Sequence, residues 1–289
     1  MSKAAEFWHS LGGDAVVCDL CPHACRLQPG QRGGCGSRRN DGGTLVSDAY
    51  GHPCALAVDP IEKKPLARFM PGTECLSVAC TGCNLHCLGC QNHEISQALP
   101  SQVPSAAISP SELVRMCQER GLPSLAYTYT EPFTWWEYCH DTAVLAHEHG
   151  LKNLLVTAGY ACEEPARQLA QVTDAANIDL KYFSDALYRR MSGATLQPVL
   201  RTILIFAQAG VHVELTHLMV PGVCDDMAML RHMCSWLVAG GLQQVPLHIT
   251  RFFPRHKLGS LSPTPLATLR QARDVALDEG LQCVLLGNV

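Results

Sequence analysis

Residues 82–92 read Gly82-Cys83-Asn84-Leu85-His86-Cys87-Leu88-Gly89-Cys90-Gln91-Asn92. The C-x3-C-x2-C spacing of the three cysteines is close enough for them to wrap around one inorganic centre. An iron–sulfur cube held by four cysteines is a closed electron carrier, whereas a cube held by three leaves one iron open to bind a second molecule. The spacing therefore favours an open 4Fe-4S cluster at Cys83, Cys87 and Cys90.

Two other interpretations of this loop stay open from its spacing alone. Cys80 lies just upstream, so the run also reads C-x2-C-x3-C-x2-C, which fits a closed four-thiolate site for zinc or for a cluster. The other interpretation is a group of buried free cysteines, although C-x2-C pairs are spacings typical of metal-binding loops. The open cluster predicts that Cys80 is dispensable, and the closed cluster predicts that Cys80 is essential.

The loop and several further motifs resemble one known family. The motifs are Gly82-Cys83-Asn84, Cys90-Gln91-Asn92, Asp59-Pro-Ile-Glu-Lys-Lys-Pro-Leu66, Phe69-Met-Pro-Gly72, Tyr127-Thr-Tyr-Thr-Glu-Pro132, Ile178-Asp-Leu-Lys181 and Val245-Pro-Leu-His-Ile-Thr-Arg-Phe252. Together they are similar to the AmmeMemoRadiSam-system radical S-adenosylmethionine (radical SAM) family, which is related to pyruvate formate-lyase activating enzymes. The resemblance runs from about Cys18 to Val289, nearly the whole chain.

This resemblance implies an enzyme that cleaves S-adenosylmethionine reductively into methionine and a 5′-deoxyadenosyl radical, which abstracts hydrogen from a substrate. It implies a 4Fe-4S cluster, S-adenosylmethionine and a low-potential electron donor such as flavodoxin or ferredoxin. Memo-like and AMMECR-like proteins, or a protein substrate, are the expected partners. Glycyl-radical activation and a non-catalytic module stabilised by zinc or by a closed cluster are the alternative functions, and no residue identifies the substrate.

The resemblance also implies which residues contact the cosubstrate. Glu131 occupies the place where relatives carry a Gly-Gly-Glu stretch, and its structural alternative is an acid at a helix start. Asp179 and Lys181 lie on the same side of a strand, where a buried salt bridge is the alternative. His248 has the alternative of a core histidine, and the weaker candidates are Glu214, Thr216 and His217. The full set of predicted cosubstrate-binding residues is Asn84, Glu131, Thr157, Asp179, Lys181 and His248.

Two features depart from the family pattern. Many radical SAM loops have an aromatic residue directly before the third cysteine, where this chain has Gly89. The usual packing on the adenine side of the cosubstrate is therefore in doubt, although the cluster is not. Family members also often continue past Gly-Asn-Val with another cysteine pair, whereas this sequence stops at Val289.

A second cysteine group lies in residues 1–50, a turn-rich segment with little apolar periodicity. Four thiolates around a metal would stabilise a segment that is too small to fold alone. The spacing fits zinc or an auxiliary iron–sulfur cluster and does not distinguish between them, and free thiols covered by the main domain are the alternative. The four cysteines are Cys18, Cys21, Cys25 and Cys35.

Short apolar runs alternate with helical patterns from Leu76 onwards, which indicates parallel β/α units. The predicted fold is an α/β partial (β/α)6-type TIM-like barrel with a small cysteine-rich N-terminal appendage, and its ligand groups are expected at the carboxyl ends of the strands. The predicted domains are a metal-binding segment at 1–50, a connecting arm at 51–75 and the partial barrel at 76–289.

The composition of the chain limits which partners and which cellular compartment are expected. The net charge of −4 gives no reason to expect a nucleic-acid-binding surface. Solvated loops are expected for the basic runs Arg38-Arg39 and Arg255-His256-Lys257, with a phosphate or cosubstrate contact as the alternative. No run approaches the roughly 18 apolar residues of a membrane span, and the first residues lack the apolar core of a signal peptide. Sixteen cysteines point to metal or redox chemistry in a reducing compartment. A cytoplasmic protein is therefore expected.

Overall fold

The computed structural model describes residues 2–289, and residues 3–47 form two small antiparallel sheets. Their strands are β1 (Lys3–Ala4), β2 (Trp8–Gly12), β3 (Ala15–Cys18), β4 (Arg26–Leu27), β5 (Arg38–Asp41) and β6 (Thr44–Ser47). The strand orders are β1-β6-β5 and β2-β3-β4. Strands this short produce almost no alternating pattern, which is why the sequence predicts only turns here.

The main sheet has eight strands in the order β14-β13-β12-β11-β10-β9-β8-β7. The bounds are β7 (Pro53–Pro60), β8 (Glu74–Cys80), β9 (Ser124–Tyr127), β10 (Lys152–Thr157), β11 (Ala175–Asp179), β12 (His212–Met219), β13 (Leu247–Arg251) and β14 (Val284–Gly287). Strands β8 to β14 are parallel, and β7 pairs antiparallel with β8. The predicted arm thus contributes an edge strand, a position that tolerates its two prolines.

Helices connect the parallel strands, as the alternating pattern predicts. They are α1 (His93–Ser96), α2 (Pro110–Glu119), α3 (Trp136–Glu148), α4 (Glu163–Gln171), α5 (Asp185–Ser192), α6 (Leu196–Gln208), α7 (Met227–Ala239) and α8 (Leu266–Asp278). Helix α2 begins with a capping box, in which the Ser109 hydroxyl and the Glu112 carboxylate each bond the other residue's amide. Within residues 2–289, no helix is long and apolar enough to cross a membrane.

The two faces of the main sheet differ in what covers them. The large core packs helices against strand residues such as Val78, Tyr127 and Ile178. Residues of the opposite parity form a second cluster on what we call the inner face, and Ile61 and Leu66 of the arm pack into it. The inner-face strand residues of this cluster are Cys75, Ala126, Leu154 and Ala175. The arm therefore folds back over the inner face of the sheet.

The N-terminal sheets dock on α3 through a buried ion pair. Arg38 and Glu137 have side chains only 1% and 0% exposed, and the guanidinium contacts the carboxylate. Phe7 packs edge-on against Trp136, with ring centroids 4.8 Å apart. The expectation that Arg38 lies in a solvated loop is therefore wrong, because Glu137 neutralises its charge in the core.

Candidate functional site

The cysteine loop follows β8 at the carboxyl end of the sheet. Its first turn is tightly packed, because a Cβ on Gly82 would lie 2.0 Å from Ser37 Oγ and 2.6 Å from the carbonyl oxygen of Cys35. Gly82 also has a φ of +101°, which glycine adopts readily. The Ser37 hydroxyl donates to the Thr81 carbonyl at 2.9 Å. The N-terminal segment thus fixes the start of the loop.

The three loop thiols are close enough to influence one another's pKa. Burial raises the pKa of Cys83 well above its ordinary value, and the charges of Glu131, Cys87 and Cys90 raise it further. Burial also raises the pKa of Cys87 to about 11, against the lowering effect of Lys181. A metal centre bound here must displace these protons, because thiolates are the ligands.

Cys80 belongs to different surroundings. It is fully buried in the large core, and its pKa is raised well above the ordinary value by burial and by Cys54. A negative charge on Cys80 would raise the pKa of Tyr138 and Cys139 of α3, which places the thiol near that helix. Cys80 therefore lies on the helix-covered face of β8, whereas the three loop thiols are partly exposed beyond the end of that strand.

Residues 2–289 contain no group of three His, Cys, Asp or Glu side chains arranged to hold a single ion. A cube binds each thiolate through a different iron, so its thiolates need not converge on one point. Three thiols in one short loop, with Lys181 beside Cys87, form a donor set that fits an iron–sulfur cluster.

Glu131 and Thr157 are brought together at the carboxyl ends of β9 and β10. The Glu131 carboxylate accepts from the Thr157 hydroxyl at 2.6 Å and from the amides of Ala158 at 2.8 Å and Phe133 at 3.2 Å. Burial raises the pKa of Glu131, while these hydrogen bonds oppose the increase. By accepting from the Phe133 amide, Glu131 caps a short helical turn, and it also lies near Cys83. Glu131 therefore has the predicted helix-start role and a position beside the cysteine loop at the same time.

Asp179 and Lys181 lie near Cys87. Lys181 Nζ donates to Asp179 Oδ2 at 2.5 Å, with side chains 23% and 33% exposed. Burial lowers the pKa of Lys181, but the negative charges of Asp179 and Cys87 outweigh it and raise the pKa well above its ordinary value. The salt bridge is thus present and only half-buried, at the opening that contains the cysteine loop.

Asn84 connects the two cysteine groups. Its side-chain amide donates to the Tyr160 carbonyl at 2.7 Å, and its own carbonyl is bonded by His23 Nε2 at 2.7 Å. The residue is 1% exposed, and its Oδ1 has no hydrogen-bond partner among residues 2–289. Asn84 also lines the small cavity around the N-terminal cysteines.

All four N-terminal cysteines line that cavity, together with Arg38. The lining cysteines are Cys18, Cys21, Cys25 and Cys35. Arg38 Nη1 approaches Cys18 Sγ at 3.6 Å, so a cation faces the thiol group. Burial raises the pKa of Cys21 to about 12, and the charges of Cys35 and Cys18 also raise it. The topology thus gathers the four side chains that the sequence groups.

His248 lies on the inner face, bonded to Glu214. His248 Nε2 and Glu214 Oε2 are 2.5 Å apart, and Glu214 also accepts from the amides of Ala67 at 3.0 Å and Arg68 at 2.7 Å. Glu214 therefore attaches the arm to the sheet, a function that the sequence does not reveal because the partners are about 146 residues apart. A contact of His248 with the cosubstrate stays a prediction.

Replacing Glu214 by glutamine should destabilise the protein in a pH-dependent way. Burial alone would raise the pKa of Glu214, but its bonds to His212, His248 and the arm amides lower it from 4.5 to about 2. The carboxylate therefore stabilises the fold fully above pH 4.5, by on the order of 3 kcal/mol, and loses this effect as the pH falls through 2. Urea unfolding should show a deficit at pH 7 that shrinks below pH 4.5.

The exposed Glu148 provides a matched control, because Glu148→Gln removes a carboxylate that lies at the solvated end of α3. This variant should unfold like the wild type at each pH. A Glu214→Gln deficit that stays constant from neutral to acid pH would contradict the role assigned to the Glu214 charge.

Gly89 is covered by the loop that follows β13. A Cβ on Gly89 would lie 3.0 Å from Leu258 Cδ1 and 3.6 Å from Phe252 Cε2. The amide of Lys257 donates to the Leu88 carbonyl at 2.9 Å, which joins the two loops. Apolar side chains from another loop thus fill the space that an aromatic residue at position 89 would take.

The fold is similar to that of solved radical SAM proteins. A domain of pyruvate-formate lyase-activating enzyme from Bacteroides vulgatus aligns at 16% identity and a TM-score of 0.50, over 57% of this chain and 98% of that one. A radical SAM methyltransferase from Sphaerobacter thermophilus aligns at 15% identity and a TM-score of 0.58, over 76% and 68% of the two chains. At these identities the similarity shows the fold alone.

Sequence comparison is more specific. The model of the radical SAM superfamily matches residues 77–234, which contain the cysteine loop. The uncharacterized protein MJ0808 of Methanocaldococcus jannaschii is 41% identical over 287 residues, 99% of this chain and 85% of that protein. The chain belongs to the radical SAM superfamily. Membership of this superfamily implies a 4Fe-4S cluster and cleavage of S-adenosylmethionine.

Proposed function

We propose that this protein is a radical SAM enzyme whose 4Fe-4S cluster is held by Cys83, Cys87 and Cys90, with one iron left for S-adenosylmethionine. The observation that carries this proposal is the separation of the cysteines. Cys83, Cys87 and Cys90 are partly exposed in the loop that follows β8, whereas Cys80 is fully buried in the helix-covered core. Three thiolates at one opening leave the fourth iron without a protein ligand.

When both groups are bound, the cluster and the cosubstrate supply reductive cleavage to methionine and a 5′-deoxyadenosyl radical. The chain supplies position and charge. Lys181 places a cation beside Cys87, which offsets part of the negative charge of the thiolates. The Glu131 carboxylate, which the Thr157 hydroxyl and the Ala158 amide orient, lies near Cys83, and a carboxylate can accept from the cosubstrate's amino group. Asn84, Thr157, Asp179 and His248 complete the proposed set.

The direct test is release of 5′-deoxyadenosine. Protein reconstituted anaerobically with iron and sulfide, then reduced with dithionite, should release 5′-deoxyadenosine and methionine from S-adenosylmethionine. A protein with an intact cube that releases neither would end this proposal. A colourless protein that carries only zinc would instead support the alternative of a metal-stabilised module without catalysis.

We also propose a second metal centre at the four N-terminal cysteines. Their shared cavity and the buried Arg38 beside Cys18 support a negatively charged tetrathiolate centre, which leaves no open coordination position. Metal analysis distinguishes its two forms. About eight irons per chain would indicate an auxiliary 4Fe-4S cluster, the form that agrees with the lack of a single-ion arrangement among residues 2–289. About four irons with one zinc would indicate a structural zinc site, whose cysteines would have to close around the ion as it binds. No metal beyond the first cluster would indicate free thiols.

The finer assignment to the AmmeMemoRadiSam-system family is part of this proposal and rests on the sequence motifs. On this assignment, the inner face of the main sheet is the interior of a partial barrel. The electron donor is a flavodoxin- or ferredoxin-like protein, and the partners are Memo-like or AMMECR-like proteins in a reducing, cytoplasmic compartment. A protein substrate is proposed alongside a small molecule, because nothing in the site favours glycyl-radical activation specifically.

A further inference from the structure

Tyr129 has an unusual backbone conformation beside the cysteine loop. Its φ is +66°, in the left-handed region, and it follows β9 at the carboxyl end of the sheet. This conformation is strained for a bulky residue and costs glycine almost nothing. Such strain persists only where the surroundings over-determine it, and it clusters at functional sites. A tyrosine at this strained position indicates that its side chain has a role that glycine could not fill.

The side chain of Tyr129 is held by charged groups from β7 and the arm. Its hydroxyl donates to the Asp59 carboxylate, and Lys64 Nζ lies 4.5 Å from the centre of its ring. Asp59 also accepts from Lys63 and Lys64, each at 2.6 Å, and from Ser77 at 2.8 Å. Burial would raise the pKa of Asp59, but these bonds lower it far below its ordinary range. The tyrosine therefore rests on a permanent carboxylate.

The backbone of Tyr129 is bonded to the cysteine loop. Asn92 Nδ2 donates to the Tyr129 carbonyl at 2.7 Å, and Asn92 lies two residues after Cys90. Asn92 occupies the N-cap position of α1, where an asparagine side chain ordinarily accepts from the helix amides. Here its side chain makes no capping bond. The Asn92 side chain thus bonds the strained Tyr129 backbone instead of capping α1.

We propose that Tyr129 is a positioning residue, which fixes the Cys90 end of the cysteine loop for cosubstrate binding. This inference rests on the proposed function. Asp59 and Lys64 anchor the ring, the anchored ring maintains the left-handed backbone, and that backbone presents its carbonyl to Asn92. No cosubstrate contact of the tyrosine itself is required.

The test compares Tyr129→Gly with Tyr127→Phe in the reconstituted protein. Tyr129→Gly relieves the strained φ but also removes the bond to Asp59 and the contact with Lys64, so the thermal midpoint should fall no further than in Tyr127→Phe. The dissociation constant for S-adenosylmethionine in equilibrium dialysis should nevertheless rise about tenfold. Tyr127 is buried on the helix-covered face and bonds Asn153 at 3.0 Å. Tyr127→Phe should therefore lower the thermal midpoint and leave that dissociation constant unchanged.

A double-mutant cycle tests the link to the loop. Asn92→Ala alone should weaken cosubstrate binding to a similar extent, and Tyr129→Gly with Asn92→Ala should bind no more weakly than the poorer single variant. The electron paramagnetic resonance spectrum of the reduced cluster should shift less on addition of S-adenosylmethionine in all three variants than in the wild type.

The outcomes separate this inference from the proposed function. A wild type with an intact cube that does not bind S-adenosylmethionine overturns both. A wild type that binds, with Tyr129→Gly binding equally well, overturns the positioning role alone. Loss of affinity in proportion to loss of thermal stability, or additive effects of the two substitutions, would assign Tyr129 a merely structural role and overturn the inference too.

Discussion

Cys83→Ala, Cys87→Ala and Cys90→Ala are each expected to abolish release of 5′-deoxyadenosine and to remove about four irons per chain from the reconstituted protein. A cube that already relies on three protein thiolates has no substitute when one is removed. The structure offers no neighbouring replacement, because Cys80 is buried in the core beside Cys54. Iron analysis and a dithionite-driven assay of each variant give the measurement.

Cys80→Ala is the matched control for these variants. It removes a thiol only three residues from Cys83, yet it should retain the iron and the cleavage activity, with a modest loss of stability from the deleted sulfur. Loss of the cluster in Cys80→Ala would show a closed four-thiolate centre and would contradict the open iron. The control therefore decides between the two metal interpretations that spacing leaves open.

The sequence predicts the regular part of this fold well. The seven parallel strands and the long helices between them follow from alternating apolar runs, because the period of a buried element is a local property. The cysteine loop is equally local, since its three cysteines lie within eight residues. The short strands β1 to β6 escape detection, because two to five residues cannot establish a period.

The charged pairs inside the core could not be predicted from the sequence, because their partners are far apart along the chain. Arg38 looks solvated beside Arg39, and its partner Glu137 lies 99 residues away. Asp59 and Lys64 belong to a recognised motif, but only the fold places Tyr129, 70 residues from Asp59, against them. Long-range pairing depends on how the sheets dock, and one sequence contains no signal for it. A single charge in an otherwise apolar run, such as Glu137 in α3, is the nearest hint.

Glu137→Ala is expected to lower the free energy of unfolding of the metal-free protein by about 3 to 5 kcal/mol, measured by urea denaturation. The substitution leaves the guanidinium of Arg38 buried without its carboxylate, and the cost of an unpaired buried charge far exceeds the net gain from a paired one. The loss should appear as detachment of the N-terminal sheets from α3, which limited proteolysis within residues 2–50 would detect.

The surface pair Arg115–Glu119, with N and O atoms 2.5 Å apart, is the control, and Glu119→Ala should cost less than about 1 kcal/mol. The effect of Glu137→Ala should also depend on metal. Arg38 lies 3.6 Å from Cys18 Sγ, so a tetrathiolate centre would supply a second counter-charge and reduce the deficit. A large deficit that is equal with and without metal would contradict a negatively charged centre at the N-terminal cysteines. A small deficit in both states would contradict the predicted cost and would mean that water solvates Arg38 when Glu137 is lost.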